Sequence, residues 1–381
     1  MKKFFVLLIF IPFLSFAESM YSPSWGFCID IPEGYKYAGG DGKDRFSFAG
    51  PEGLMFDLVV YNGKYNSMLE LANDVNKSIS NKGEIDLFKY RERQAVMIRL
   101  MFAEHEGWAL GIELDSTDDS TETRPILLAL AYCPSDKKQL DMFNLSAIDS
   151  IAPSYIDRYY PGPATEYSYP RGELRRRPLA LKGVSAMIYD NDAKASQDLI
   201  EREFKIMKAY LNTSMLQDAC RRYYRLVFRD SYDRISDAAI EVARNLGGLT
   251  RGGTAVTSDA QKREFAQKVL SFTQAFKYER NLDGGSDFIN LVTSVTEGRG
   301  DCDSRSMLFA LIVANANIKS GIMLSHYYSH AMGLVDISGD GARFEAHQTK
   351  WLVAETTDKI DIGLIDQELS DQQYWFAVLF E

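Results

Sequence analysis

The stretch Glu297–Ile318 reads EGRGDCDSRSMLFALIVANANI and joins a glycine-rich, acidic turn to an apolar run with helical spacing. Cys302 stands at the junction. The unpaired N–H groups at a helix N-terminus stabilise a thiolate and can also hold an oxyanion. Asp301 and Asp303 oppose the first effect, because adjacent carboxylates raise a thiol pKa, or they cap the helix. Cys302 is therefore either a nucleophile or a small buried residue. The choice depends on whether other parts of the chain supply the partners that a nucleophile needs.

Composition restricts the class of protein. The chain has 381 residues, which suggests two or three domains. Hydrophobic residues make up 46% and charged residues 25%, as is typical of globular proteins. The formal net charge of −10 argues against nucleic acid as the main partner.

The N-terminus has the pattern of an export signal. It reads MKKFFVLLIFIPFLSFAES, with two lysines, a short apolar run and a small-x-small motif that ends at Ala17. We expect residues 1–17 to be a signal peptide and the mature protein to be exported, either periplasmic or secreted. The apolar run is short for a membrane span, so no stable membrane insertion is expected after cleavage.

Four cysteines are present, namely Cys28, Cys133, Cys220 and Cys302. In an exported protein two disulfides are one interpretation, and Cys28 and Cys133 could pair because both lie in strand-like segments. Free thiols are the other interpretation. The spacing of a zinc site, such as C-x-x-C, is absent, so neither a metal nor another cofactor is expected.

Residues 18–153 have an α+β pattern. WGFCIDIP alternates apolar and polar residues as a strand does, and GLMFDLVVY follows it. Helical spacing recurs in NSMLELANDVNKSISNKG and in KKQLDMFNLSAIDSI. This order, with the GFCIDIPEGY opening and the LSAIDSI close, resembles the PsbP-like α/β sandwich, a resemblance that implies a shape and no catalytic residue.

The rest of the chain divides by composition. Residues 154–192 are rich in Pro, Gly and Tyr and are predicted to be a linker. Residues 193–250 contain about three helical patterns and form a predicted helical connector. Residues 251–381 form a C-terminal domain, in which helices precede strands, and Gly339-Asp340-Gly341 predicts a hairpin.

A cysteine nucleophile needs a base, and the base needs an orienting acid. The chain has four histidines, and three of them follow Cys302: His326, His330 and His347. His330 starts the predicted strand HAMGLVD and is the favoured base. His326 shares its face if that strand is continuous, and His347 is predicted to lie mid-strand.

The motifs GRGDC, HAMGLVD and KWLVAETT together resemble the transglutaminase-like superfamily over roughly residues 258–357. The resemblance implies a papain-like fold in which Cys302 is the nucleophile, His330 the base and Glu355 the acid. Glu355 departs from the pattern, since aspartate is usual there. Asp336 is a rival acid. Tyr278 is expected to pack in the core, or else to wall the cleft or donate to the oxyanion.

The resemblance implies acyl transfer at amide bonds through a thioester intermediate. We expect a cysteine peptidase or amidase that acts on a peptide or protein substrate, which could be a cell-wall peptide. Two alternatives stay open: a protein-glutamine transglutaminase, in which an amine replaces water, and a catalytically silent binding module.

Overall fold

The computed structural model describes residues 20–116 and 124–380, which form an α+β protein. The predicted signal peptide, residues 1–17, lies outside the described residues. Within the described ranges, no helix combines the length and the apolar character needed to cross a membrane.

The regular elements are numbered here in chain order. The helices are α1 Met68–Ser78, α2 Asp141–Asp149, α3 Pro163–Ser168, α4 Asp192–Ala209, α5 Leu216–Arg234, α6 Ser236–Leu246, α7 Asp259–Gln274, α8 Leu291–Glu297 and α9 Cys302–Asn315. The strands are β1 Met20–Tyr21, β2 Cys28–Ile29, β3 Lys36–Gly40, β4 Arg45–Ala49, β5 Met55–Tyr61, β6 Ile85–Tyr90, β7 Arg93–Phe102, β8 His105–Glu113, β9 Ile126–Pro134, β10 Leu174–Pro178, β11 Ser185–Tyr189, β12 Lys277–Tyr278, β13 Arg299–Gly300, β14 Ser320–Ser325, β15 His330–Val335, β16 Arg343–Ala346, β17 Thr349–Ala354 and β18 Phe376–Phe380.

The N-terminal part is a seven-stranded antiparallel sheet in the order β3-β4-β5-β9-β8-β7-β6. Alternate residues of each strand face opposite sides, so the sheet has two apolar faces. On β7, Val96 and Ile98 pack with α1, whereas Ala95 and Met97 pack with α2. The α+β prediction for this part is confirmed, and its resemblance to the PsbP-like sandwich stays a prediction.

The segments predicted to be a linker and a helical connector contain regular elements that pack against the rest of the protein. Residues 154–192 contain α3 and the antiparallel pair β10–β11 rather than an extended spacer. The helices α4, α5 and α6 share one hydrophobic core with α7, α8 and α9. The segment 193–250 therefore shares the C-terminal core, and its residues Ile206, Tyr210 and Ala219 also pack with the N-terminal part of the chain.

The C-terminal part is a five-stranded antiparallel sheet in the order β16-β17-β15-β14-β18. Helix α9 packs on β14 and β15. Its approach is close at Gly333, where an added Cβ would lie 2.5 Å from Cδ1 of Phe309. This packing brings the N-terminus of the cysteine helix against the strand that begins at His330.

Three local predictions are corrected. Gly339-Asp340-Gly341 does not form a hairpin, because β17 lies between the strands on either side of it. His347 is not mid-strand, since it occupies the tight turn between β16 and β17 with a φ of 50°. All four cysteines are free thiols, so the interpretation of Cys28 and Cys133 as a disulfide is wrong for this structure.

Candidate active site

Cys302 is the first residue of α9, as the sequence predicted. Asp301 is the N-cap: its carboxylate accepts hydrogen bonds from the N–H of Ser304 at 2.9 Å and from the Ser304 hydroxyl at 2.6 Å. The backbone N–H of Cys302 belongs to the group at a helix N-terminus that has no partner within the helix. The thiol and a potential oxyanion donor therefore lie on the same residue.

The surroundings of Cys302 favour the protonated thiol. Burial raises its pKa, and the carboxylates of Asp303 and Asp301 raise it further, while a hydrogen bond from the backbone N–H of Ala331 opposes them. The helix terminus therefore does not produce a resting thiolate here. A thiol with a raised pKa can act as a nucleophile only if a base removes its proton.

His330 lines the same cavity as the Cys302 thiol. Ala331, whose N–H reaches the Cys302 sulfur, directly follows His330 at the start of β15. His330 Nε2 lies 2.7 Å from Glu355 Oε2, and 15% of the His330 side chain is exposed. A carboxylate can only accept, so Nε2 carries the proton and Nδ1 is left as the basic nitrogen.

Glu355 directly follows β17 and is held in its ionised form. Burial opposes ionisation, but hydrogen bonds from His330 and Thr357 outweigh it and lower the pKa of Glu355. Its second oxygen, Oε1, accepts from the Thr357 N–H at 2.7 Å and from the Thr357 hydroxyl at 2.6 Å. Both oxygens are thus engaged, which leaves the carboxylate little freedom to turn away from the imidazole.

Two buried residues of α9 connect the segments that carry the three side chains. Arg305 is 2% exposed and donates to the carbonyls of Gly300, Phe276 and Thr356. The Ser306 hydroxyl lies 3.2 Å from the Ala331 carbonyl and 3.0 Å from the Thr356 hydroxyl. Neither residue could be predicted from the sequence, because their partners are mostly backbone groups that leave no motif.

Cys302 and His330 line one cavity of about 370 Å³. Its other lining residues come from α4, α5, the segment before α8, the N-terminus of α9, the β14–β15 hairpin and β18: Met207, Cys220, Tyr224, Arg280, Asp287, Asp301, Asp303, Leu324, Ser325, His326, Ser329 and Phe376. The walls combine apolar side chains with three carboxylates. A cavity of this size next to a thiol and an imidazole can receive part of a polypeptide chain.

The remaining predicted residues lie elsewhere. His326 is in the turn between β14 and β15, so it does not share a continuous strand with His330. Asp336 is exposed after the far end of β15, about 20 Å along the strand from His330 at the usual rise. Tyr278 is 49% exposed beside the turn, so the core-packing expectation is wrong.

No metal centre of the usual kind accompanies the site. Over residues 20–116 and 124–380, no three His, Cys, Asp or Glu side chains are grouped so that they could hold an ion.

Comparison with known proteins does not identify the chain. No protein-family model matches it. No curated protein matches it in sequence. Among solved structures, calcium-bound LapG of Legionella pneumophila matches 48% of this chain and 83% of its own, with 14% identity and a TM-score of 0.23. A second structure of Legionella pneumophila LapG matches 42% and 75%, with 14% identity and a TM-score of 0.21. Values this low do not assign a family.

Proposed function

We propose that this protein is a cysteine acyl-transfer enzyme that hydrolyses amide bonds, with Cys302 as nucleophile, His330 as base and Glu355 as orienting acid. One observation carries the proposal. The His330 imidazole, which is hydrogen-bonded to Glu355 at 2.7 Å, lines the same cavity as the Cys302 thiol at the start of a buried helix. Nucleophile, base and orienting group are the three elements that covalent acyl transfer requires.

In the first half-reaction His330 Nδ1 takes the thiol proton as the Cys302 sulfur attacks the substrate carbonyl. The raised pKa of the thiol makes this transfer necessary rather than optional. Glu355 stabilises the imidazolium that forms. The backbone N–H of Cys302 then donates to the oxyanion.

In the second half-reaction the imidazolium protonates the leaving amine, and the C–N bond breaks. The acyl group stays on Cys302 as a thioester. Water, deprotonated by His330, attacks the thioester and releases the acid and the thiol. Hydrolysis needs no second substrate site, which favours water over an amine as acceptor.

A peptide or protein is the proposed substrate, and a cell-wall peptide is included in that class. Export of the mature chain is part of the proposal, on the basis of the N-terminal sequence pattern. Nucleic acid is not proposed as a partner, given the net charge of −10.

Incubation of the mature chain with a peptide library and with peptidoglycan fragments tests the proposal. Products are analysed by mass spectrometry, with and without an added biotinylated primary amine. Cleavage that disappears in Cys302→Ala is the expected result. Amine incorporation without cleavage would indicate transamidation, and neither product from any substrate would contradict catalysis.

A further inference from the structure

A second group of reactive side chains lines the same cavity. The Cys220 sulfur lies 3.4 Å from Met207 Sδ and 3.6 Å from His326 Nε2. The three residues come from three elements: α4, α5 and the β14–β15 turn. None of them has a role in the proposed acyl transfer.

The fold holds this group in place. Cys220 is 2% exposed and lies in the buried face of α5, which packs along α4. His326 is in contact with the ring of Phe376, at 5.6 Å between centroids. The sulfurs are thus fixed by a helix pair, while the imidazole lies in a turn that borders the cavity.

A thiol, a thioether and an imidazole form a soft ligand set. Thiolate and thioether ligands select monovalent copper, and imidazole also suits copper. We propose that Met207, Cys220 and His326 form a binding site for a single Cu(I) ion. Zinc fits less well, because its sites use thiolate, imidazole and carboxylate rather than thioether ligands.

The distances are close to those that one ion would require. With metal–sulfur bonds of about 2.3 Å and metal–nitrogen bonds of about 2.0 Å, neighbouring ligand atoms lie about 3.5–4 Å apart. The observed separations from the Cys220 sulfur, 3.4 Å to Met207 Sδ and 3.6 Å to His326 Nε2, are close to this spacing. Both neighbours of the thiol therefore lie at about the distance expected between adjacent ligands of one ion.

On binding, bonds form from Cu(I) to the two sulfurs and to Nε2, and the thiol proton goes to solvent. Copper keeps its oxidation state. Because a proton is released, affinity should fall as the pH falls.

The position of the site links it to the cleft. Met207, Cys220 and His326 line the cavity that contains Cys302 and His330, so a bound ion would occupy part of the space for substrate. Inhibition of hydrolysis by Cu(I) is therefore expected. This consequence rests on the proposed function, whereas binding itself does not.

Competition with a chromogenic chelator tests the site. The full mature chain carrying Cys302→Ser, which removes the other thiol of the cavity, is titrated anaerobically into Cu(I)–bicinchoninate while the absorbance of that complex is followed. We expect one equivalent of copper to be withdrawn per chain. Met207→Leu and His326→Gln should each weaken binding by at least about tenfold, the lower limit known for loss of an outer partner of a metal ligand.

Matched controls use exposed residues of the same kinds. Met101→Leu and His347→Gln should bind copper as the parent does. Cys220→Ser should abolish withdrawal, with the fold checked by circular dichroism. Full affinity in either Met207→Leu or His326→Gln, or no withdrawal by the parent, would overturn the copper site. Those outcomes are read without any substrate, so they are separate from a failure of the proposed hydrolysis.

Discussion

Glu355 uses its two oxygens for two different purposes. Oε2 accepts from His330, and Oε1 is fixed by the N–H and hydroxyl of Thr357. The motif KWLVAETT predicted the acid but gave no role to the threonine. Thr357 explains how a glutamate, with one more methylene than aspartate, is kept from turning away from the imidazole.

Replacement of the acid by its amide tests this role. In Glu355→Gln the NH₂ group can donate to His330 Nε2, so the proton moves to Nδ1 and the base is lost. Turnover should fall by about 10²–10⁴ while the fold is retained, as for orienting acids of other triads. Steady-state kinetics with a cleaved peptide would measure this.

Asp336→Asn is the matched control, because Asp336 is exposed after the far end of β15. It should leave turnover unchanged. If Glu355→Gln left turnover unchanged and Asp336→Asn lowered it, the assignment of Glu355 as the acid would be wrong.

Asp301 leads to a prediction about pH. Its pKa is raised to about 7 by burial and by the Asp303 carboxylate. A raised carboxyl pKa stabilises the fold at low pH, and this contribution is lost as the pH rises from the ordinary aspartate range towards 7. Asn can still accept from the Ser304 N–H as an N-cap. The stability gained by Asp301→Asn, measured by urea unfolding, should therefore be larger at pH 8 than at pH 5.

The same change should also lower the pKa of Cys302, because one of the carboxylates that raise it is gone. The pH dependence of iodoacetamide alkylation at Cys302 would show this. Asp366→Asn is the control, since Asp366 caps an exposed 3-10 turn. Asp366→Asn should change neither quantity, and an equal effect of both variants would contradict the local electrostatic explanation.

At the scale of elements, the site depends on how α9 lies on β15. Periodicity predicted both elements, but it could not predict the order of the strands. Gly339-Asp340-Gly341 was predicted to be a hairpin because glycine marks a turn. A turn sequence does not determine whether the two strands on either side of it pair with each other. The insertion of β17 between its neighbours puts Glu355 beside the strand of His330.

Gly333 tests the packing of α9 on the sheet. A methyl group there would clash with the Phe309 ring, and overpacking of this kind costs about 1–3 kcal/mol. Gly333→Ala should lower the free energy of unfolding by that amount and also reduce turnover, since α9 carries Cys302 and β15 carries His330. Urea unfolding and peptide kinetics measure the two effects.

Gly39→Ala is the control for this change, because nothing lies within 4 Å of the added Cβ. It should leave activity as it is. Equal stability of the two variants would mean that α9 does not approach β15 as closely as described.

At the scale of the whole molecule, the buried Arg222 joins the N-terminal part of the chain to the helices α4 and α5. Arg222 on α5 is 2% exposed and donates to Glu203, to Ser146 and to the Asp30 carbonyl. Composition suggested a linker and a connector between two domains. It could not reveal this contact, because a basic residue in a helical pattern is equally typical of a solvated face.

Loss of Arg222 should weaken the whole chain. Arg222→Met breaks a buried ion pair, a change that costs about 3–5 kcal/mol because the partner charge is left short of donors. The exposed Lys194→Met should cost little, since its pair with Asp198 is solvated. Urea unfolding compares the two variants, and near-equal values would contradict a structural role for the Arg222 contact.

Acylation of the enzyme by p-nitrophenyl acetate tests the central claim most directly, because this ester needs no knowledge of the natural substrate. Release of p-nitrophenolate is followed in the first turnover, and the acetylated residue is located by mass spectrometry of peptides. We expect a burst with the acetyl group on Cys302, and we expect the burst to be lost in Cys302→Ala and in His330→Ala. An acetyl group on Cys220, whose sulfur lies 3.6 Å from His326 Nε2, or a burst unchanged in His330→Ala, would contradict it.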